Sequence, residues 1–153
     1  MPQIHRTIEL TASVDRLWNQ LSDINNFSDW MTIHTSFKGA VPAAGEIKVG
    51  DSYTEVVTLM GMANTIEWTV REASTPEEVL SAKKGAFKVT GTGMAGVEAT
   101  IEVGVDGTEG EVTRVDLNAL FAGQMLVGAI GNAIDKAVGE ELDASLEKLK
   151  AAI

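Results

Sequence analysis

The sequence lacks cysteine and is poor in basic residues. Because it contains no cysteine, the chain can form neither a disulfide framework nor a thiolate metal site, and its stability must come from packing, in agreement with a reducing cytoplasm. Lys and Arg number 12 and Asp and Glu number 22, which gives a formal net charge of −10. Phosphate backbones and anionic lipid surfaces repel such a chain. Nucleic acid is therefore not an expected partner.

Long apolar runs are also missing. The first ten residues, MPQIHRTIEL, alternate polar and apolar side chains, and the longest weakly polar stretch, residues 119–133, is interrupted by three glycines. A membrane span needs about 20 apolar residues, and a secretory signal needs an apolar core. We expect a soluble, cytoplasmic protein that does not insert into membranes. A length of 153 residues predicts one domain covering residues 1–153.

Motifs for metals and nucleotides find little support. The two histidines, His5 and His34, show no HxH or HxxxH spacing, and no GxSxG string occurs. The string GTGMAG at 91–96 matches GxGxxG, but it lies between two predicted strands with no helix behind it, so it predicts a hairpin loop instead of a dinucleotide site. We expect no metal and no cofactor.

The first third of the chain changes its apolar period twice. Residues 3–11 alternate in the manner of a half-buried strand. Behind Ser13, apolar residues recur at helical spacing in residues 14–21, and a second short helix is predicted over residues 24–30. From Thr32 onward the period of two returns in six segments separated by Gly, Pro and Asp, namely TIHTSFKGA, DSYTEVVTLM, ANTIEWTVREA, EEVLSAKKGA, GVEATIEVGV and EVTRVDLNALF.

The last thirty residues predict one long amphipathic helix, because apolar residues recur every three or four positions from Leu126 to Ile153. Its acidic cluster at 140–143 and Glu147 are expected to lie away from the apolar stripe, and its glycine-rich first half is expected beside a cavity mouth. The whole order predicts an α+β fold: about seven antiparallel strands in a curved sheet wrapped around a long C-terminal helix, with two short helices after the first strand. Such a sheet often leaves an apolar pocket under the helix.

This order of elements resembles the helix-grip fold of the START and Bet v 1-like superfamily, also called SRPBCC. The local motifs Trp30–His34, Val49–Tyr53 and Asn64–Val70 are similar to those of its polyketide cyclase/dehydrase and lipid-transport branch. The Trp-x-Thr-Ile-His corner, followed by an Ile-x-Trp-Thr strand, also resembles a small actinobacterial subgroup known as toxins of type II toxin–antitoxin pairs. The resemblance implies a cavity under the long helix that binds lipids, polyketides or other apolar molecules, sometimes with catalysis.

Strand and helix periodicity supplies the candidate ligand-binding residues. Most residues on the inward faces are expected to be core, and those beneath the glycine-rich half of the helix are expected to contact a ligand. The candidate set is Trp30, Tyr53, Trp68, Phe121, Met125, Ile130 and Ile134.

His34 and Glu55 are the candidate catalytic residues. A histidine transfers protons near neutrality, and a carboxylate inside an apolar cavity has its pKa raised by desolvation. Parity places His34 away from the apolar side of its strand unless a bulge intervenes, which favours a structural hydrogen bond to a neighbouring strand or to Trp30. Tyr53 and Glu55 share one face, and both an inward and a solvated orientation stay open.

Our interpretation is a protein that binds, transports or sequesters a small hydrophobic ligand such as a lipid or polyketide. Two alternatives remain. A polyketide cyclase or dehydratase-like enzyme would need His34, Glu55 or Tyr53 to converge on the cavity. A toxin would have an antitoxin protein as its partner. The sequence allows either a monomer or a homodimer.

Overall fold

The computed structural model describes residues 3–42, 46–93, 96–107, 112–123 and 128–152. Seven strands are present among them: β1 (Gln3–Leu10), β2 (His34–Lys38), β3 (Ser52–Leu59), β4 (Met62–Ala73), β5 (Lys84–Thr92), β6 (Glu98–Asp106) and β7 (Thr113–Ala122). The helices are α1 (Val14–Ser22), α2 (Phe27–Trp30), α3 (Pro76–Ala82) and α4 (Gly128–Ala152), with a 3-10 turn at Ile24–Asn26. In this part of the chain, no helix is both long enough and apolar enough to cross a bilayer.

The strands form one antiparallel sheet in the order β1-β7-β6-β5-β4-β3-β2. Five of its pairs join strands that follow each other in sequence, as the short glycine-rich connections predict. The exception is β1, which pairs with β7, so the two edges of the sheet are β1 and β2. Helices α1 and α2 carry the chain between these edges. The predicted α+β helix-grip fold is therefore confirmed.

One element differs from the expectation. The period of two predicts a strand over residues 77–86, and this prediction is wrong because the segment begins with a strong helix start. The Thr75 hydroxyl accepts the Glu78 N–H, the Glu78 carboxylate accepts the Thr75 N–H, and Pro76 occupies the first turn. Helix α3 ends at Lys83, whose φ of 61° is left-handed, and β5 begins at the next residue.

The core lies between the sheet and the helices. All three tryptophans, Trp18, Trp30 and Trp68, are 1% exposed. On α1 the buried residues are the four that the helical spacing selects, Val14, Leu17, Trp18 and Leu21. Helix α4 packs on β1 and α2 and contributes Val138, Leu146 and Leu149 to the core. One face of α4, from Ile130 to Ser145, borders a cavity.

Candidate functional site

A cavity of about 350 Å³ lies between the concave face of the sheet and α4. This volume falls at the lower end of the range for small-molecule sites. Its walls come from the segment after α2, from four strands and from one face of α4. The lining residues are Trp30, Met31, Ile33, Val57, Leu59, Met62, Asn64, Ile66, Gly93, Val97, Ile101, Leu117, Ala119, Phe121, Ile130, Ile134, Val138, Glu141, Leu142 and Ser145.

Backbone periodicity explains why these walls are apolar. Alternate residues of a strand point to one face, so β7 presents Leu117, Ala119 and Phe121 to the cavity. The helix presents residues three or four positions apart, which brings Ile134 and Val138 to the same wall. The apolar patterns that predict the fold therefore also shape the cavity.

One end of the cavity reaches the surface through apolar side chains. Met62, beside the β3–β4 turn, and Ile130, in the first turn of α4, each line the cavity and are each 58% exposed. Exposed apolar residues around an opening are typical of ligand entrances. We define the mouth of the cavity by these two residues.

The opposite end of the α4 wall carries polar side chains. The Thr32 hydroxyl donates to Oε2 of Glu141 over 2.5 Å, and Oγ of Ser145 accepts the Thr32 N–H over 3.0 Å. The hydroxyls of Thr32 and Ser145 also lie 3.0 Å apart. Glu141 and Ser145 belong to the cavity wall, whereas Thr32 fastens them to the segment between α2 and β2. We call these three residues the Glu141 cluster.

A second polar cluster is buried next to the cavity. Nδ1 of His34 lies 2.5 Å from Oε2 of Glu55, and the indole N–H of Trp68 donates to Oε1 over 2.9 Å. The Glu55 residue is 1% exposed and the His34 side chain 6%. Burial raises the pKa of Glu55, while the hydrogen bond and charge of His34 and the hydrogen bond from Trp68 act in the opposite direction. We call these residues the Glu55 cluster.

A strand irregularity brings His34 to Glu55. The register between β2 and β3 shifts between His34 and Ser36, which breaks strict alternation at this point. The His34 ring therefore turns inward and packs on Phe37, with 4.5 Å between ring centroids. The sequence could not reveal this shift, because a bulge leaves no periodic signal.

The Glu55 cluster is separated from the large cavity. Glu55, Tyr53 and Trp68 surround a void of about 10 Å³, close to the smallest space that holds one water. Tyr53 is 3% exposed, and burial raises the pKa of its hydroxyl well above the usual value, with a further contribution from Glu55. His34, Glu55 and Tyr53 thus point inward but converge on no space that a substrate could fill.

The predicted ligand-binding residues divide into three groups. Trp30, Phe121, Ile130 and Ile134 line the cavity. Tyr53 and Trp68, which strand parity placed toward a ligand, lie instead around the small void, because their strands turn them toward Phe87 and Val89. Met125 lies outside the described residues.

Sequence reasoning missed the Glu141 cluster. The acidic residues at 140–143 were expected away from the apolar stripe, but Glu141 lines the cavity, so for this residue the expectation is wrong. The signal was present in the spacing, since positions 134, 138, 141 and 145 continue one helical face. Polar residues on an otherwise apolar stripe could have indicated a site.

Other parts of the described surface do not compete with this cavity. A concavity of about 380 Å³ lies between α1 and residues 73–76, and its walls are more polar than those of the cavity under α4, with Arg16, Asn19, Gln20 and Asp23 among them. Within the described ranges, no three His, Asp or Glu side chains are grouped as metal ligands.

Solved structures share this fold. A START superfamily protein from Mycobacterium smegmatis aligns with a TM-score of 0.76 and 12% identity, over 99% of this chain and 96% of its own. The Zhui aromatase/cyclase from a Streptomyces species aligns with a TM-score of 0.68 and 17% identity, over 98% and 92% of the two chains. At these identities the likeness establishes the fold alone.

Sequence comparison goes further than the structures. A protein of Mycobacterium tuberculosis named Toxin Rv0910 is 28% identical over 149 residues, which cover 96% of this chain and 94% of that protein. The model of the family described as polyketide cyclase / dehydrase and lipid transport matches residues 1–153. The resemblance seen in the motifs is thereby confirmed, and the chain belongs to the polyketide cyclase/dehydrase and lipid-transport family.

Proposed function

We propose that this protein binds a small hydrophobic molecule, such as a lipid or polyketide, in the cavity between the sheet and α4. The observation that carries the proposal is the cavity itself, about 350 Å³ in volume and lined mainly by aliphatic and aromatic side chains. Apolar walls around a space of this size offer packing contacts to an apolar ligand. Its mouth at Met62 and Ile130 offers an entrance of matching chemistry.

Binding is favoured over catalysis by the position of the catalytic candidates. A general acid or base must come within hydrogen-bond reach of its substrate. Glu55 and His34 are occupied with each other and with Trp68, beside a void of about 10 Å³. We therefore propose that the Glu55 cluster joins β2, β3 and β4 through buried hydrogen bonds and takes no part in turnover.

The experiment is a binding titration with the fluorescent apolar probe N-phenyl-1-naphthylamine, together with native mass spectrometry of molecules that co-purify. Ala119 lies on β7, is 3% exposed and lines the cavity. In Ala119→Phe the added phenyl ring occupies ligand space, so probe affinity should fall by about tenfold or more, about 1.4 kcal/mol. Overpacking costs about 1–3 kcal/mol of stability, which urea unfolding measures separately.

Ala63→Phe is the matched control. Ala63 lies on β4 between the cavity residues Met62 and Asn64, but its side chain is on the exposed face. The same ring added there should leave probe affinity unchanged. Absence of probe binding and of any co-purifying apolar molecule in the unaltered protein would rule out the proposed function.

A second candidate function is growth inhibition countered by an antitoxin protein. It rests on the 28% identity to Toxin Rv0910 across 96% of this chain. Inducible expression in a host that grows without this protein tests it: arrest of growth that Ala119→Phe relieves would connect inhibition to the cavity, and normal growth would argue against the toxin function.

A further inference from the structure

We infer that the cavity selects amphiphiles whose head group is neutral or cationic and donates a hydrogen bond to Glu141, and that it discriminates against fatty-acid anions. This inference rests on the proposed function and specifies its class of ligand. It depends on three observations: the charges on the cavity wall, the hydrogen bonds of the Glu141 cluster, and the distance of that cluster from the mouth.

The cavity wall carries charge of one sign. Glu141 is the ionisable residue among the described lining residues, and none of those residues is Lys, Arg or His. Asn64 and Ser145 add polar atoms without charge. A carboxylate ligand entering this space would meet a like charge and would find no cation to pair with among the described lining residues.

The hydrogen bonds of the cluster leave Glu141 able to accept from a ligand. The Thr32 hydroxyl donates to Oε2 of Glu141. Among the described residues, no hydrogen bond is made to the other carboxylate oxygen, Oε1. An ionised carboxylate offers about four acceptor sites on its two oxygens and donates nothing. A hydroxyl or amino group beside it would therefore complete its hydrogen bonding, and bonds to a charged acceptor are stronger than neutral ones.

The cluster lies far enough from the mouth to receive a head group while a tail fills the cavity. Glu141 lies eleven positions after Ile130 at the mouth, on the same helix, which at 1.5 Å per residue is about 16.5 Å along the axis. Apolar side chains line the helix face between them, including Ile134 and Val138. This arrangement suits a single extended apolar tail with one polar end.

The cluster also has a structural role, because Thr32 ties α4 to the segment after α2. The test must therefore remove the charge of Glu141 without removing this tie. Glu141→Gln does so, since the amide oxygen still accepts the Thr32 hydroxyl while the negative charge disappears. Glu147→Gln is the control: it removes the same charge from an exposed position of α4 outside the cavity wall.

The experiment measures displacement of N-phenyl-1-naphthylamine at neutral pH by three ligands with the same tail, 1-dodecanol, dodecylamine and dodecanoate. In the unaltered protein and in Glu147→Gln, we expect the alcohol and the amine to displace the probe at concentrations about tenfold lower than dodecanoate. In Glu141→Gln this preference should shrink to about threefold or less, chiefly through tighter binding of dodecanoate.

The outcomes separate this inference from the proposed function. If the probe does not bind the unaltered protein, both fail together. If the probe binds but dodecanoate displaces it as well as the alcohol and amine do, or if none of the three displaces it, only the inference fails. It also fails if Glu141→Gln and Glu147→Gln show the same preference. A purely structural Glu141 would change stability in urea without changing the order of the three ligands.

Discussion

Replacing Glu55 by alanine tests a polar contact buried in the core. The residue is 1% exposed. Its Oε2 atom is hydrogen-bonded to Nδ1 of His34, and its Oε1 atom accepts the indole N–H of Trp68. Alanine would leave both nitrogens without a partner inside the core. Each such loss costs about 1–3 kcal/mol, so the two together cost about 2–6 kcal/mol. We expect a loss near 4 kcal/mol, about a third or more of a typical domain's stability.

Glu55→Gln separates the hydrogen bonds from the charge. The glutamine oxygen can still accept the Trp68 N–H, and its amide can donate to His34, whose Nδ1 then becomes the acceptor. Both partners stay satisfied, so at neutral pH the loss should be under about 1 kcal/mol. The difference in stability between Glu55→Ala and Glu55→Gln therefore measures the contribution of the hydrogen bonds in the Glu55 cluster.

The pH dependence follows from the direction of the shift. Burial raises the pKa of Glu55 above its ordinary value of 4.5. The folded state therefore binds this proton more tightly than the unfolded state, and stability falls as pH rises from about 4.5 through the folded pKa. Glu55→Gln should lose this decline. Asp116 does not contribute to this decline in stability. Desolvation raises its pKa, but the hydrogen bonds from Thr7 and His5 and the charge of Arg114 together lower it below the ordinary value. The stabilising effect of ionised Asp116 is therefore lost only below about pH 4.

The assay is urea unfolding followed by tryptophan fluorescence between pH 4 and pH 8, since all three tryptophans are buried in the fold. Differences between each variant and the unaltered protein isolate Glu55 from other titrating groups. A loss of less than about 1 kcal/mol in Glu55→Ala, or the same pH slope in Glu55→Gln as in the unaltered protein, would refute the reasoning.

Two further predictions concern a glycine of β5 and the N-terminal cap of α3. Gly91→Ala should destabilise the fold by about 1–3 kcal/mol, because the added methyl group would lie 2.6 Å from Ile66 and 2.9 Å from the Glu67 carbonyl oxygen. Gly104→Ala is the control and should be tolerated, because the nearest atoms to its methyl group would be 3.9 Å away. Equal urea midpoints for the two variants would contradict this prediction. Thr75→Ala should cost about 0.5–2 kcal/mol by removing the cap of α3, whereas Thr75→Ser, which keeps the hydroxyl, should lose little; a full loss in the serine variant would show that the cap is not the cause.

The sequence predicts most of the fold because most of its elements carry a clear period. The spacing of α1 identifies its four buried residues, and six of the seven strands occupy predicted segments. The failure is local: in residues 77–86 a weak alternation competes with the Thr75 cap and Pro76, and the cap decides the structure. If helix start signals are given precedence over periodicity, the sequence predicts a helix at α3, and the next strand then begins after it, at β5.

The candidate site is less predictable because it depends on where elements meet. Strand parity places Phe121 on the face of β7 that lines the cavity. Parity cannot tell, however, which inward residues line a cavity and which pack on one another. Tyr53 and Trp68 point inward and still miss the cavity. The contact between His34 and Glu55 joins residues 21 positions apart through a register shift, and no local pattern records such a shift.

The corner Trp30–His34 connects both polar clusters to the cavity. Trp30, Met31 and Ile33 contribute to the apolar wall. Thr32, between them, bonds to Glu141 and Ser145 of α4, while His34 reaches across to Glu55 of β3. These five residues thus connect helix α4, the β2 edge of the sheet and the cavity wall. A change at Thr32 should therefore disturb α4 and the ligand space together, whereas a change at His34 should disturb the sheet edge alone.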